Sequence, residues 1–247
     1  MITSVDNPRV KDVLRLRKSR ERRRDGVFVA EGVREVERAL AAGLTVTATY
    51  VAPELLADWS HPGAEEVSAR VLAKMAYRAE PEGVLALVEI PRRTLAADAS
   101  LILVAVGIEK PGNLGAMART ADAGGADALL VAEANADPWN PNAIRASTGA
   151  VFTLPILEVS RDEVAALTQT KIATVVDSTR SHSEPDLTRP IALLVGSEDA
   201  GLDAAWLELA DERVSIPMRG TSTDSLNASA AAAIVLFEAL RQRTIAR

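Results

Sequence analysis

Residues 101–120 read LILVAVGIEKPGNLGAMART, and this stretch decides the fold class. It begins with six apolar residues, passes through a loop that contains Gly107 and Gly112, and continues into helix-forming residues. A short apolar run followed by glycines and a helix is typical of a strand that is covered on both faces in an α/β protein. The stretch therefore predicts one strand–loop–helix unit of a parallel sheet.

The same pattern recurs through the C-terminal part of the chain. Apolar strands are predicted at Leu101–Val106, Ala128–Val131, Lys171–Val176, Ile191–Val195 and Arg213–Ile216, and helices at Leu114–Ala123, Arg161–Thr168, Asp203–Leu209 and Ala228–Gln242. Strands that alternate with helices favour a largely parallel sheet with helices on both faces. We therefore expect an α/β domain over residues 101–247.

The N-terminal part shows a similar but shorter alternation. Strands are predicted at Gly26–Glu31, Thr45–Val51 and Gly83–Val88, and helices at residues 8–24, Val33–Ala42 and Glu65–Ala76. The polar segment Pro91–Ser100 has no clear periodicity, which is typical of a linker. We expect a small α/β domain over residues 1–90 and a linker over residues 91–100.

Positive charge is concentrated near the N-terminus of an acidic chain. Between Arg9 and Asp25 there are nine basic and three acidic residues, whereas the whole chain carries a net charge of −6. A basic segment in an acidic protein favours contact with a polyanion, although a solvated helix face is an alternative. We expect RNA phosphates to be contacted by Lys11, Arg15, Lys18, Arg22, Arg23 and Arg24.

Composition and missing motifs exclude several classes of function. The chain has no cysteine and two histidines, so thiolate metal sites and three-histidine centres are excluded and we expect no metal. The longest apolar runs span about eight residues, well short of a bilayer span, and no secretory leader is recognisable. These features predict a cytoplasmic protein without a membrane partner. No dinucleotide fingerprint, phosphate loop or nucleophile elbow occurs.

Three polar stretches follow predicted strands, where ligands of open α/β sheets usually bind. They are Gly107–Thr120, Leu194–Leu202 and Val214–Ser229. Each also has a structural interpretation, because glycines form strand–helix turns and short polar residues such as Asn227 cap helices. The residues alone leave both interpretations open.

Taken together, the three stretches resemble the signature motifs of the SpoU/TrmH family of RNA ribose 2′-O-methyltransferases, within the SPOUT superfamily. Asn113-x-Gly115 with Arg119 resembles the first motif and Gly196-x-Glu198-x-x-Gly201 the second. The third is matched by Ile216-Pro217-Met218 with Ser225-Leu226-Asn227-x-Ser229. The resemblance extends to Asn140-Pro141 with Arg145, and residues 7–32 look like the L30e-like substrate-binding domain of this family.

Membership implies a SPOUT domain with a parallel sheet and a deep trefoil knot, S-adenosyl-L-methionine as cofactor, RNA as substrate and a homodimer. The matched positions imply a reaction centre made of Asn113, Arg119, Glu198, Ser225 and Asn227. They imply cofactor contacts by Val195, Gly196, Gly201, Ile216, Met218 and Leu226, and an RNA contact by Arg145. Since a guanidinium has no free acceptor at neutral pH, we expect Arg119 to stabilise a developing alkoxide by its charge.

The resemblance leaves the RNA substrate open. The separate basic N-terminal domain favours 23S rRNA, because a fold-recognising module suits a structured hairpin. The alternatives are a tRNA 2′-O-methyltransferase and a non-catalytic RNA-binding protein with a SPOUT-like domain. A small-molecule enzyme whose basic helix is merely solvated would show no salt-dependent RNA affinity.

Overall fold

The computed structural model describes residues 1–133, 136–220, 222 and 224–246. The chain forms two compact units. Unit 1 comprises Met1–Arg92 and Trp139–Thr153, and unit 2 comprises Arg93–Pro138 and Leu154–Arg247. Among the described residues no helix is both long enough and apolar enough to cross a bilayer.

The described helices are α1 Pro8–Arg15, α2 Ser19–Asp25, α3 Val33–Ala41, α4 Ala69–Met75, α5 Pro111–Ala123, α6 Pro141–Ser147, α7 Arg161–Ala165, α8 Ala204–Leu209 and α9 Ala228–Ile245, with a 3₁₀ turn at Ala150–Phe152. The strands are β1 Val27–Glu31, β2 Val46–Val51, β3 Glu65–Glu66, β4 Val84–Glu89, β5 Leu101–Val106, β6 Ala128–Ala132, β7 Ile156–Val159, β8 Thr170–Thr174, β9 Ile191–Val195 and β10 Glu212–Val214.

Unit 2 is built on a six-stranded sheet in the order β10-β8-β9-β5-β6-β7, and every pair in it is parallel. The predicted α/β class with a parallel sheet is confirmed. Strands β5, β6 and β9 are buried along their whole lengths, as their unbroken apolar sequences require. The prediction missed β7, whose residues are mostly half-buried and whose run is only four residues long.

Unit 1 contains a four-stranded sheet in the order β1-β4-β2-β3. Strand β4 is antiparallel to both β1 and β2, whereas the short β3 is parallel to β2. The predicted helix over Glu65–Ala76 is therefore wrong at its start. Residues 65–66 pair with β2, and the helix begins after Ser68, whose side chain caps it.

Residues 139–153, which we assigned to the C-terminal domain, pack with unit 1. Phe28 of β1 stacks on Trp139 with ring centroids 4.9 Å apart and on Phe152 at 5.7 Å. Aromatic stacking of this kind contributes beyond the burial of area. It explains why helix α6 clusters with β1 although it is distant in sequence.

The predicted helix over residues 8–24 is two helices, with a turn between Leu16 and Lys18. Arg22 lies on α2, is 2% exposed and turns its side chain back toward this turn. Its guanidinium donates to the carbonyl oxygens of Leu16 at 2.6 Å and Arg17 at 3.0 Å. These bonds satisfy carbonyl groups that the end of α1 leaves without intrahelical partners.

The last turn of α9 is tied to distant parts of unit 2. Arg243 donates to the backbone oxygens of Leu187, Arg189 and Ser100 at 2.8–2.9 Å, and to the Ser100 hydroxyl at 3.0 Å. Earlier in the helix, α9 packs on α5, where Leu236 contacts the position of Gly124. This packing holds the first turn of α9 in place, and the third polar stretch ends in that turn.

Candidate active site

The three polar stretches meet at one edge of the unit 2 sheet. They follow β5, β9 and β10, whose carboxyl ends share that edge because the strands are parallel. From β5 the chain proceeds to β6 and β7 on one side, whereas β8, β9 and β10 lie on the other. A reversal of this kind opens a crevice at the carboxyl ends of the neighbouring strands β5 and β9.

A hydrogen-bonded cluster joins the three stretches around Glu198. Glu198 Oε1 accepts from the Asn113 side-chain amide and from Asn227 Nδ2 at 2.7 Å. Asn227 Nδ2 also lies 3.4 Å from Asn113 Oδ1. The Lys110 ammonium is 3.8 Å from Glu198 Oε2. A carboxylate only accepts hydrogen bonds, so Glu198 fixes both amides with their nitrogen atoms toward it.

Asn227 has two roles in this arrangement. Its Oδ1 accepts from the backbone N–H of Ser229 at 3.0 Å and from the Ser229 hydroxyl at 2.6 Å, so it is the N-cap of α9. Its amide nitrogen meanwhile donates to Glu198. The capping interpretation is therefore confirmed, and the same residue is also part of the cluster around Glu198.

Arg119 lies apart from the hydrogen-bonded cluster. It is exposed on α5, six residues beyond Asn113, and has no hydrogen-bond or ion-pair partner among the residues that the structure describes. Ser225 is likewise exposed and lines the adjoining cavity without a bond to the cluster. The structure brings together Asn113, Glu198 and Asn227 and leaves Arg119 open to a substrate.

A cavity of about 450 Å³ adjoins Glu198. The six residues expected to contact the cofactor all line it, namely Val195, Gly196, Gly201, Ile216, Met218 and Leu226. Its volume lies within the usual range of small-molecule sites, about 300–1,000 Å³. The wall combines apolar side chains with the backbone of two loops, which suits a nucleoside.

Two glycines make the tight loop after β9 possible. A Cβ atom on Gly196 would lie 2.2 Å from the carbonyl carbon of Gly201, so no other residue fits there without moving the backbone. Gly201 has a φ of +65° and donates to the Ser197 carbonyl at 3.0 Å. Positive φ at this position favours glycine.

Sequence reasoning missed the part of the cavity wall that follows β8. Residues Thr174, Val175, Val176 and Asp177 line the cavity, because β8 ends at Thr174 rather than at the predicted Val176. The Thr174 hydroxyl oxygen is buried and has no hydrogen-bond partner among the described residues. The only feature that could have indicated this part of the wall is that β8 ends beside β9. That adjacency can be recognised only once the strand order is known.

The basic segment of unit 1 differs from the expectation in its details. The side chain of Arg22 on α2 is buried against the α1–α2 turn, so its predicted contact with RNA is wrong. Arg15 and Arg24 are exposed but pair with Glu21 at 3.4 and 2.7 Å, and with Asp25 at 2.9 and 2.8 Å. The hydrogen bond from Arg24 lowers the pKa of the Asp25 carboxyl below its ordinary value.

The remaining predicted cations are more accessible. Lys11 and Lys18 are exposed and have no hydrogen-bond or ion-pair partner within the described part of the chain, and Arg23 is exposed as well. Arg145 lies on the surface of α6 and donates to Asn142 Oδ1 at 2.8 Å. The structure therefore keeps these four as candidates for phosphate contact.

Among the described residues there is no group of three side chains that could hold a metal ion.

The fold and site define an α/β protein with a nucleoside-sized cavity beside a polar cluster at the carboxyl edge of its sheet. The chain belongs to the SpoU rRNA Methylase family, whose model matches residues 100–237. Residues 7–86 match the MRM3-like substrate binding domain. The family resemblance carried by the three stretches is confirmed.

Named relatives cover nearly the whole chain. A 23S rRNA (uridine(2479)-2′-O)-methyltransferase of Streptomyces viridochromogenes is 37% identical over 92% of this chain and 87% of its own. The 23S rRNA (guanosine(2553)-2′-O)-methyltransferase RlmP of Bacillus subtilis strain 168 is 32% identical over 96% and 97%. An AdoMet-bound rRNA methyltransferase from Sinorhizobium meliloti is 30% identical, covers 97% of both chains and superposes with a TM-score of 0.85.

Proposed function

We propose that this protein methylates a ribose 2′-hydroxyl of ribosomal RNA with S-adenosyl-L-methionine as the methyl donor. The observation that carries the proposal is the convergence of Asn113, Glu198 and Asn227 beside the cavity. Relatives that match nearly the whole chain are named 23S rRNA 2′-O-methyltransferases. Large-subunit rRNA is therefore the substrate that we propose, with tRNA as the alternative.

The residues of the cavity fit the donor. Gly196 and Gly201 form a tight backbone loop, and Ile216, Met218 and Leu226 supply apolar walls on which an adenine ring can pack. When bound, S-adenosylmethionine supplies an activated methyl group.

The polar cluster would orient the ribose. Glu198 holds the amides of Asn113 and Asn227 in one geometry, and Asn113 Oδ1, which Asn227 Nδ2 approaches at 3.4 Å, keeps a second lone pair that can accept from a hydroxyl. Two rigid amides at the edge of the cavity restrict where a ribose can sit. Positioning by such groups accounts for much of the rate enhancement in transfer reactions.

Arg119 would stabilise the charge that develops on the 2′-oxygen. Its exposed guanidinium carries a permanent positive charge and has no partner in the described chain that would neutralise it. It lacks an acceptor, so the proton of the 2′-hydroxyl leaves to water or to an RNA phosphate. Charge stabilisation of this kind is usually the largest electrostatic contribution to such a reaction.

Unit 1 would bind the RNA substrate. The proposal divides the chain into an L30e-like RNA-binding domain over residues 1–90, a linker over 91–100 and a SPOUT domain over 101–247, from which residues 139–153 are assigned to the first domain. Lys11, Lys18, Arg23 and Arg145 supply accessible positive charge. Each phosphate contact makes the slope of log K against log salt more negative by about 0.7–0.9, so replacing three of these residues by alanine should make the slope less negative by about 2–3.

We also propose that the enzyme is a homodimer and that its C-terminal region forms the trefoil knot of the family. Helix α9 presents Ala230, Ile234 and Phe237 on one exposed face, where a second copy would cover them. The end of α9 lies against residues 183–187, to which Gln242 is hydrogen-bonded, and this proximity supports a threaded path. Sedimentation velocity at several concentrations measures the oligomeric state.

The experiment uses tritiated S-adenosylmethionine with separate pools of undermodified 23S rRNA, 16S rRNA and tRNA. We expect label in 23S rRNA at a linkage that resists nucleases, and we expect Arg119→Ala to lose it. Asp122→Asn, an exposed position on the same helix, is the matched control and should retain the activity. Label in tRNA alone would show that tRNA, the alternative, is the substrate. Binding of the donor without label in any RNA pool would favour a non-catalytic RNA-binding protein.

A further inference from the structure

The cavity beside Glu198 carries unpaired negative charge. Four carboxylates line it, and neither lysine nor arginine occurs among its described lining residues. Glu198 is engaged with two amides and lies near Lys110. The other three, Asp177, Asp199 and Asp224, are exposed and have no hydrogen-bond or ion-pair partner among the described residues.

The negative charge of the cavity affects the affinities for the methyl donor and for its product differently. At neutral pH S-adenosylmethionine carries a positive sulfonium and ammonium and a negative carboxylate, so its net charge is +1. S-adenosylhomocysteine retains the ammonium and the carboxylate but has a neutral thioether. Carboxylates near the sulfur therefore attract the donor more strongly than the product, while contacts with adenine, ribose and the amino-acid group are common to both.

We propose that Asp177, Asp199 and Asp224 make the cavity selective for the cationic methyl donor over its neutral product. The inference rests on the proposed function, since it assumes that the cavity binds S-adenosylmethionine. Transfer of the methyl group removes the positive charge on sulfur, and the affinity of the cavity for the spent cofactor falls with it. The same carboxylates that favour binding of the donor thus favour release of the product.

The expected effect is moderate because the three carboxylates are exposed. For a separation on the order of 8 Å in a solvated cleft, one carboxylate changes the affinity for a unit positive charge about fivefold. Because three such effects multiply, we expect the native protein at low salt to bind S-adenosylmethionine about a hundredfold more tightly than S-adenosylhomocysteine. Raising the salt concentration to about 0.5 M should reduce this ratio, since exposed charges are screened.

Calorimetric titration of the full chain tests the proposal without reference to activity. The dissociation constants of S-adenosylmethionine, S-adenosylhomocysteine and sinefungin, which carries an ammonium group in place of the sulfonium, are measured for each variant. Asp177→Asn and Asp224→Asn should each weaken the two cationic ligands about fivefold and S-adenosylhomocysteine less than twofold. Asp98→Asn, an exposed position outside the cavity with the same change in charge, is the control.

The outcomes separate this inference from the proposed function. Equal losses for cationic and neutral ligands would mean that the aspartates act on the shared ammonium group, and the selectivity proposal would be wrong. A native ratio near one at low salt would overturn it as well. If neither ligand binds the native protein, the proposed function itself fails. A selective loss in the cavity variants, absent from Asp98→Asn, is the supporting result.

Discussion

Replacing Glu198 tests whether one carboxylate organises the reaction centre. Both the Asn113 and the Asn227 amides donate to Glu198 Oε1, and its side chain is 21% exposed. A hydrogen bond to a charged group contributes about 1.5–3 kcal/mol and a neutral one about 0.5–1.5 kcal/mol. Glu198→Ala removes both bonds, and solvent partly replaces them. We therefore expect a loss of transition-state stabilisation of about 3 kcal/mol, which lowers the rate by about two orders of magnitude.

Glu198→Gln should have a smaller effect. The glutamine retains one carbonyl oxygen that can accept from both amides, so only the contribution of the charge is lost. We expect about a tenfold reduction, or about 1.4 kcal/mol. Glu208→Gln, an exposed position on α8 with the same change in charge, should leave the rate unchanged.

The measurement is the single-turnover rate of methyl transfer at saturating donor and RNA, which excludes product release. Calorimetry of donor binding and a thermal melt accompany each variant, so that loss of folding is recognised. An alanine variant within about threefold of the native rate would refute the role of Glu198. Equal damage by alanine and glutamine would show that the charge, rather than the hydrogen-bond geometry, is required.

Three further predictions address the loop after β9, the α1–α2 turn and the response to acid. Gly196→Ala should weaken donor binding by calorimetry at least tenfold, because its Cβ would lie 2.2 Å from Gly201 backbone; near-native affinity would contradict the close approach. Arg22→Met should lower the free energy of unfolding in urea by about 2–4 kcal/mol, because two carbonyl groups lose their donor, whereas exposed Arg20→Met should change it by less than about 0.5 kcal/mol. The pKa of Glu238 is lowered from 4.5 to about 2 by hydrogen bonds from basic and amide side chains on α9. Its contribution to stability is therefore present above pH 4.5 and is lost as the pH falls toward 2, so Glu238→Gln should flatten the dependence of Tm on pH in that window.

The sequence predicted the sheet of unit 2 well because burial on both faces requires unbroken apolar runs. β5 and β9 begin and end where their apolar residues do. The α1–α2 turn could not be predicted in this way. Residues 8–24 satisfy a helical pattern, and the break depends on Arg22 folding back onto two carbonyl groups, which is a three-dimensional contact.

The candidate site was predictable in part for a similar reason. Asn113, Glu198 and Asn227 each follow a strand, and parallel strands bring such residues to one edge. Thr174 was missed because its importance depends on the adjacency of β8 and β9, which no local pattern encodes. Residues 139–153 were assigned to the wrong unit because the stacking of Phe28 on Trp139 links positions more than a hundred residues apart.

The attachment of α9 to the start of unit 2 constrains when that unit can finish folding during synthesis. Arg243 closes on Ser100, so a segment of 143 residues must leave the ribosome before the two can meet. Until then β9 exposes an apolar face that α9 later contacts, whereas unit 1, which comprises residues 1–92 and 139–153, is already synthesised. A nascent chain arrested before Arg243 therefore leaves this face of the sheet open, while the unit that we propose to bind RNA has already been synthesised.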